Sequence, residues 1–399
     1  MSEASAVVPA PPRESQLKLF LRFLRFGFLA WGGPVAQIAM IRQELVEEEH
    51  WISRERFNRA LAVYQVLPGP EAHELCVYFG MLARGRVGGI LAGLGFMLPG
   101  FVLMFALSWF YVTTGAASAV FAAVFQGMQP AVGALIVRAV HRIGQHALTD
   151  HWLWGIAIVA GFAQLLAMNF MITLPLSGIA YVLCRRGRPG LAAGLGVALL
   201  TAALALAINP ASIPATTASN APTSTSPSLL ALFGSGLRSG LLTFGGAYTV
   251  IPFLQNDAVV AAGWMTNGQF LDGLALSGIL PAPLIIFATF VGYVGGGPWG
   301  AVALTVGIFL PAFAFTLIGH DYLERTIGNP SLHRFLDGVT AGVVGLIAVT
   351  TLGLLRTAIS DVAGLGIFAA ALLVLSRWKA KAAVAVVMLG AGLLGLLQF

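Results

Sequence analysis

Three ionisable residues follow a proline-glycine-proline triplet in an otherwise apolar part of the sequence. They are Glu71, His73 and Glu74, directly after Pro68-Gly69-Pro70. An ionisable side chain at membrane depth is a functional candidate, and carboxyl or imidazole groups of this kind can carry a coupling proton. The alternative interpretation is that Glu71 only complements the positive N-terminal end of a helix that begins at the triplet.

Two arginines, Arg25 and Arg238, stand at matching positions a few residues before Gly32-Gly33-Pro34 and Gly245-Gly246. A break at each glycine pair would free backbone N–H groups at a new helix N-terminus, which carries roughly half a positive charge. Such ends and the two arginines would form an electropositive site suited to a tetrahedral dianion. Alternatively, each arginine extends to the membrane interface or pairs with a carboxylate.

Two acids, Glu44 and Asp257, also match between the two segments, and we interpret them as charge partners of the arginines or as interfacial groups. No catalytic set and no metal site is predicted, because the acidic run from Glu47 to His50 has no further ligands at suitable spacing. The predicted substrate-binding set is Arg25, Gly32, Gly33, Pro34, Gln37, Pro68, Gly69, Pro70, Arg238, Gly245, Gly246, Pro281, Ala282 and Pro283.

The elements that position these residues must lie in a membrane. Hydrophobic residues make up 58% of the 399 residues and charged residues only 10%, which is too few for the charged shell of a soluble protein. The long apolar runs lack the alternation of outer-membrane strands. We therefore predict an all-α, polytopic membrane protein that combines full transmembrane spans with broken or re-entrant helices.

Hydropathy divides the chain into two halves, 15–208 and 229–399, after a polar N-terminus at 1–14. The uncharged Pro/Ser/Thr-rich stretch 209–228 between them is predicted to be a linker. The clear spans are Val87–Val112, Ala117–Val137, Trp152–Met168, Met171–Leu183, Leu191–Ile208, Trp299–Ile318, Phe335–Leu355, Val362–Leu375 and Ala382–Leu397.

The two halves are copies of one unit. With an offset of 213 residues, fourteen of the 46 positions from Arg25 to Pro70 are identical to those from Arg238 to Pro283. The copies are not equivalent in charge, because Leu284, Ile286 and Phe287 stand where the first copy has Glu71, His73 and Glu74. Any proton role of the acids would therefore be asymmetric.

The distribution of Lys and Arg predicts the orientation of the copies, since cytoplasmic loops carry the excess of positive charge. From Ser239 to Glu324 the second copy has no Lys or Arg, whereas the matching part of the first copy is rich in Arg. Five clear spans precede the second copy, so the repeat is predicted to be inverted. The N-terminus is then cytoplasmic, the Arg138–Arg142 and Arg185–Arg188 loops face inside, and the C-terminus is extracytoplasmic.

The apolar stretches around the glycine and proline breaks are too short to cross a bilayer. Helices of eleven to fifteen residues, at about 1.5 Å each, reach roughly halfway across. We expect four re-entrant hairpins with their tips near the midplane, in contact with protein or a cavity. The alternative is a set of continuous helices kinked at Pro and Gly.

The stretches FGFLAWGGPVAQIAMIRQELVEEEHWIS, LPGPEAHEL and FGGAY resemble the chromate transporter family over nearly the whole chain. The resemblance implies export of chromate across the bacterial inner membrane, with sulfate as a competing analogue and the proton motive force as driver. The second copy departs from the family pattern at Ser277–Pro283, which lacks an acidic residue near Gly278 and has Ala282 in place of a central glycine.

Other classes of function have less support. The chain has no nucleotide-binding GxxxxGK[ST], nucleophile elbow or zinc motif, so we predict a transporter without a cofactor rather than an enzyme or an ATP-driven pump. A transporter of another oxyanion, in either direction, and an anion channel stay open. The expected partners are the oxyanion and the lipid bilayer, without nucleic acid. A homodimer stays open too.

Overall fold

The computed structural model describes residues 14–115, 118–208, 226–326, 329–378, 380 and 382–398, and within them every regular element is helical. The predicted linker lies outside them from 209 to 225, as does the polar N-terminus from 1 to 13. The α-helices are α1 (Gln16–Phe28), α2 (Gly33–Arg42), α3 (Arg54–Val66), α4 (Glu71–Thr113), α5 (Ala119–Ala147), α6 (His151–Leu165), α7 (Phe170–Arg185), α8 (Pro189–Ile208), α9 (Leu229–Leu242), α10 (Ile251–Gln255), α11 (Asn267–Gly278), α12 (Phe287–Thr326), α13 (Pro330–Ala358), α14 (Val362–Arg377) and α15 (Ala383–Gln398).

Five helical segments among the described residues are long and apolar enough to cross a membrane: α4, α5, α8, α13 and Leu284–Gly319, which includes most of α12. Shorter apolar helices are α6, α7, α9, α14 and α15. Large apolar side chains cover the outer surface, for example Val197 and Leu204 on α8. Because lipid is the only solvent that suits such a surface, the chain is a multi-pass membrane protein, as the composition predicted.

The helices break where glycine and proline predicted breaks. α1 and α2 are separated at Leu29–Gly32, and α3 and α4 at Leu67–Pro70. Gly33 and Gly245 have φ angles of 77° and 81°, a region that L side chains rarely adopt. In both copies π-helical segments, Gln43–Glu48 and Asn256–Ala261, then continue the second arm of the first hairpin.

Each of the long helices α4 and α12 reverses direction once. The reversals lie at Arg84–Gly85 and Gly296–Gly297, where Gly85 and Gly297 have φ angles of 62° and 61°. The arms pack so closely that a Cβ at Gly80 would lie 2.3 Å from the carbonyl oxygen of Gly88. The arm 71–83 therefore runs antiparallel to the following span, as a re-entrant hairpin requires.

The two copies run in opposite directions. Gly89 of α4 lies against Leu317 of α12, and four residues later Gly93 lies against Phe313. Residue numbers therefore increase along α4 in the direction in which they decrease along α12, so these repeat-equivalent helices are antiparallel. This contact agrees with the inverted-topology repeat predicted from the charges.

The halves also exchange packing partners. α5 packs on α14 and α15 of the second half, and α13 packs on α6 and α7 of the first. Small residues permit both crossings: a Cβ at Gly127 would lie 2.3 Å from the Ala391 carbonyl oxygen, and one at Gly338 would lie 2.6 Å from that of Ser177. The repeat-related contacts make the two halves one interlocked bundle.

Candidate functional site

A cavity of about 150 Å³ lies between the two glycine pairs of the repeat. Gly32, Gly33 and Pro34 line one side of it, and Gly245 and Gly246 line the other. A smaller cavity of about 50 Å³ adjoins it, shares the first-copy glycines and reaches Ala282. The structure therefore brings three of the four predicted breaks together, with contributions from both halves.

Two arginines of α5, Arg138 and Arg142, line the larger cavity. They are four residues apart and hence on one face of the helix. Hydropathy predicts a cytoplasmic loop for both residues because the apolar window ends at Val137, but α5 continues to Ala147. The signal that could have identified them is this i, i+4 pair of arginines at the end of an apolar span.

Further polar groups surround these arginines. Glu71 lines the cavity and lies within electrostatic reach of Arg142. Tyr248 lines both cavities and lies near Arg138 and Arg142. Helix α2 begins at the cavity without a side-chain cap on its first N–H groups. Two guanidinium groups and an uncapped helix N-terminus form an anion-binding arrangement.

The repeat-related arginines Arg25 and Arg238 are not among the residues that line the cavities. Arg25 forms an ion pair with Glu44, and Arg238 forms one with Asp257. Asp257 is buried and also accepts a hydrogen bond of 2.6 Å from the Ser235 hydroxyl. Each pair joins the first helix of a copy to the π-helical segment, so the geometry gives both arginines carboxylate partners.

Gln37 is buried next to the first break rather than on the cavity wall. Its Nε2 donates a hydrogen bond of 2.9 Å to the carbonyl oxygen of Ala30. Its Oε1 has no hydrogen-bond partner among the described residues. The side chain therefore fixes the loop between α1 and α2.

The proline-containing tips contact the opposite half. The N–H of Gly69 donates a hydrogen bond of 3.0 Å to the carbonyl oxygen of Thr243. Gly69 also lies against Ala312, and its repeat equivalent Ala282 lies against Gly100. Pro68, Pro70, Pro281 and Pro283 are buried. Of these tip residues, Ala282 alone lines either of the two cavities described above, while Glu71 extends the first tip to the larger one.

Glu74 and His73 lie deeper than Glu71 and are fully buried. Neither carboxyl oxygen of Glu74 and neither ring nitrogen of His73 has a hydrogen-bond partner within the described ranges; the Gly93 backbone lies near the imidazole but outside hydrogen-bond geometry. The imidazole packs edge-on against Phe309 and Phe313, with ring centroids 5.0 and 4.7 Å apart. The first copy therefore carries carboxyl groups from the cavity into the interface between the halves.

A further buried acid was not identified from the sequence. Asp272 of α11 accepts a hydrogen bond of 2.8 Å from the Tyr111 hydroxyl and one of 2.9 Å from Gln129 Nε2. These bonds join α4, α5 and α11. An aspartate within an apolar helix was the available signal.

Comparison with known proteins gives a consistent result over nearly the whole chain. The family described as "Chromate transporter" matches residues 17–184 and 230–396. A chromate transport protein of Pseudomonas aeruginosa is 59% identical over 98% of this chain and 94% of its own length. One from Cupriavidus metallidurans is 29% identical over 99% of this chain and 96% of its own length. No solved structure matches significantly.

Proposed function

Since the chain belongs to the chromate transporter family, we propose that it is a secondary active transporter that exports chromate across the cytoplasmic membrane. The observation that carries the proposal is the cavity between the two glycine pairs, with Arg138 and Arg142 on its wall. Members of this family are transporters, and we propose the substrate, the direction of transport and the driving force.

The charge of the site suits a dianion. With Glu71 protonated, the two guanidinium groups balance two negative charges, and the uncapped N-terminus of α2 adds N–H donors. A cavity of about 150 Å³ holds several water volumes, at about 30 Å³ each in the liquid, which is enough for one small tetrahedral oxyanion. Chromate and sulfate share this charge and shape, so sulfate is the expected competitor.

The architecture favours a transporter over a channel. Both halves supply residues to one small cavity at their interface, as in inverted-repeat transporters that rock about a central site. A channel would need a continuous pore with rings of charge or carbonyl groups. Arg138 and Arg142 come from one helix of one half and do not form a ring.

Coupling to protons is supported by the asymmetric carboxyl groups. Glu71 meets the cavity beside Arg142, and the unpaired Glu74 lies one helical turn further along α4. Protonation of Glu71 would release Arg142 to the oxyanion, so the proton and the oxyanion would be carried together. One proton with one dianion leaves a net charge of −1, and the inside-negative membrane potential drives such a charge out of the cell.

The orientation proposed here places the basic loops in the cytoplasm. Arg186 hydrogen-bonds Ser331 at 3.5 Å, so the α7–α8 turn and the start of α13 lie on the same face. Tyr181 near that turn hydrogen-bonds Asp150 before α6. Basic residues 185–188 and Arg334 of the first turns of α13 therefore lie on one side, which the positive-inside rule assigns to the cytoplasm.

Transport into everted membrane vesicles tests the proposal. The assay measures accumulation of radiolabelled chromate with and without an imposed proton gradient, and with sulfate, molybdate or phosphate in excess. Gradient-dependent accumulation of chromate, reduced by sulfate, is the expected result. Uptake of a different oxyanion without uptake of chromate would contradict chromate as the substrate. Chromate uptake that does not depend on the gradient would contradict coupling to protons. Gradient-independent equilibration of several anions would support a channel.

A further inference from the structure

A separate cavity of about 330 Å³ lies between α6, α7 and α8, away from the glycine pairs. Its wall is almost entirely apolar, with Ile156 and Val159 from α6, Leu176 from α7, and Leu195 and Leu199 from α8. The volume is at the lower end of the range of about 300–1,000 Å³ for small-molecule sites. α8 is also the helix without a counterpart in the second copy, so this cavity has no repeat equivalent.

One end of the cavity is strongly basic. Cys184 lines the cavity at the last turn of α7, and the exposed residues Arg185, Arg186 and Arg188 follow at once in the turn to α8. Trp152 lines the same end from the first turn of α6. An apolar cavity that ends at a tryptophan and three arginines suits a lipid whose acyl chain ends at an anionic headgroup.

Two acids near this end, Asp150 and Asp337, offset only part of the charge of the three arginines. Burial by itself raises the pKa of Asp150, but hydrogen bonds from the Leu153 N–H and the Tyr181 hydroxyl outweigh burial and hold the pKa below its usual value. Asp150 also caps α6 by accepting from the Trp152 N–H at 2.9 Å. Its charge is thus engaged internally, near Arg185, while Arg186 and Arg188 extend the basic surface.

We infer that this cavity binds an anionic phospholipid, with an acyl chain between α6, α7 and α8 and the phosphate at Arg185, Arg186 and Arg188. A phospholipid at this position fills the space beside α8 that the protein itself leaves open. Its headgroup lies at the same turn that Arg186 connects to Ser331 of α13, so bound lipid would stabilise the contact between the two halves.

Lipid retention by the purified full-length protein tests the inference. Native mass spectrometry measures bound lipid after equilibration with equal amounts of phosphatidylglycerol and phosphatidylcholine. The R185Q/R186Q/R188Q variant removes the headgroup contacts, and Arg377→Gln is the matched control on another exposed basic turn. Gly155→Leu fills the cavity, because a Cβ at Gly155 meets nothing within 4 Å; the control is Gly194→Leu, which is equally open but off the cavity wall.

We expect wild type to retain phosphatidylglycerol selectively, and each arginine removed to weaken that retention about fivefold. Gly155→Leu should lower retention while Gly194→Leu and Arg377→Gln leave it unchanged. Equal retention of the two lipids by wild type would overturn the inference. So would an unchanged preference in the triple-arginine variant, or a loss in Gly155→Leu that the Gly194→Leu control shares.

Discussion

Ala282 lies directly against Gly100, so that a Cβ at Gly100 would come within 2.6 Å of the Ala282 Cβ. In the repeat-related contact the order is reversed, because Gly69 lies against Ala312 with a separation of 3.3 Å for an added Cβ. Each crossing thus contains one alanine and one glycine. Ala282, which stands where the first copy has Gly69, is accommodated by Gly100 of the first copy.

This complementarity predicts that Gly100→Ala overpacks the crossing and lowers stability by about 1–3 kcal/mol. Ala282→Gly in the same chain should restore most of the loss, since it removes the clashing methyl group. The midpoint of thermal unfolding in detergent measures both effects. Gly353→Ala is the control, because a Cβ there meets nothing within 4 Å. Failure of the double variant to recover would contradict the contact.

The Arg238–Asp257 ion pair predicts how single and double substitutions of its two residues change the stability of the protein. Arg238→Gln leaves the buried Asp257 with only the Ser235 hydroxyl as a strong partner, and should cost up to about 3 kcal/mol, because an unpaired buried charge is destabilising. Arg238→Gln/Asp257→Asn should be more stable than the single variant. The matched comparison is Arg25→Gln, which should cost about 1 kcal/mol or less because Arg25 is largely exposed.

Expression and thermal unfolding of the three variants measure these differences. If Arg238→Gln were as stable as wild type yet inactive, the arginine would act on the substrate rather than on Asp257. That outcome would return Arg238 to the substrate-binding set predicted from the sequence.

The cavity arginines predict loss of affinity without loss of fold. Arg138→Gln and Arg142→Gln should each raise the half-saturating chromate concentration about 10–100-fold, since a hydrogen bond to a charged group contributes about 1.5–3 kcal/mol. Initial rates of uptake into everted vesicles provide the measurement. Arg377→Gln serves as the control for a general loss of positive charge. Wild-type kinetics in both cavity variants would exclude these arginines from the site.

The buried carboxyl group of Glu74 predicts a change in coupling. Glu74→Gln keeps the shape of the side chain but cannot release a proton, so chromate uptake should lose its response to an imposed proton gradient. Counterflow exchange of chromate, which needs no net proton movement, should persist. Glu55→Gln, on the exposed face of α3, is the control. A gradient response equal to that of wild type would rule out Glu74 as the proton carrier.

The sequence predicted the breaks because glycine and proline act locally: positive φ at Gly33 and Gly245 is a property of those residues themselves. The repeat and its inversion were also accessible, since identities and charge need no structure. The residues of the cavity wall could not be predicted from the sequence. Arg138 ends an apolar window in hydropathy, yet the backbone hydrogen bonds of α5 continue for two more turns, and hydropathy does not report backbone geometry.

The roles of Arg25 and Arg238 could not be decided from the sequence for a related reason. Their match within the repeat shows that they are equivalent to each other, but not what they contact. Glu44 and Asp257 were available as partners in the pattern, and so was the substrate. Only the fold establishes that the carboxylates are adjacent and that the cavity lies elsewhere.

The exchange of packing partners between the halves determines the order in which the protein can be completed during synthesis. Arg186 and its hydrogen-bond partner Ser331 are 145 residues apart. At about 5–20 residues per second, the ribosome needs roughly 7–30 s to make the intervening chain. Throughout that interval α6 and α7 are in the bilayer without α13, and the small-residue face around Gly178 is in contact with lipid instead of Phe335. The first half must therefore survive as an unfinished intermediate, and a ribosome that stalls before α13 leaves a chain that membrane proteases can recognise.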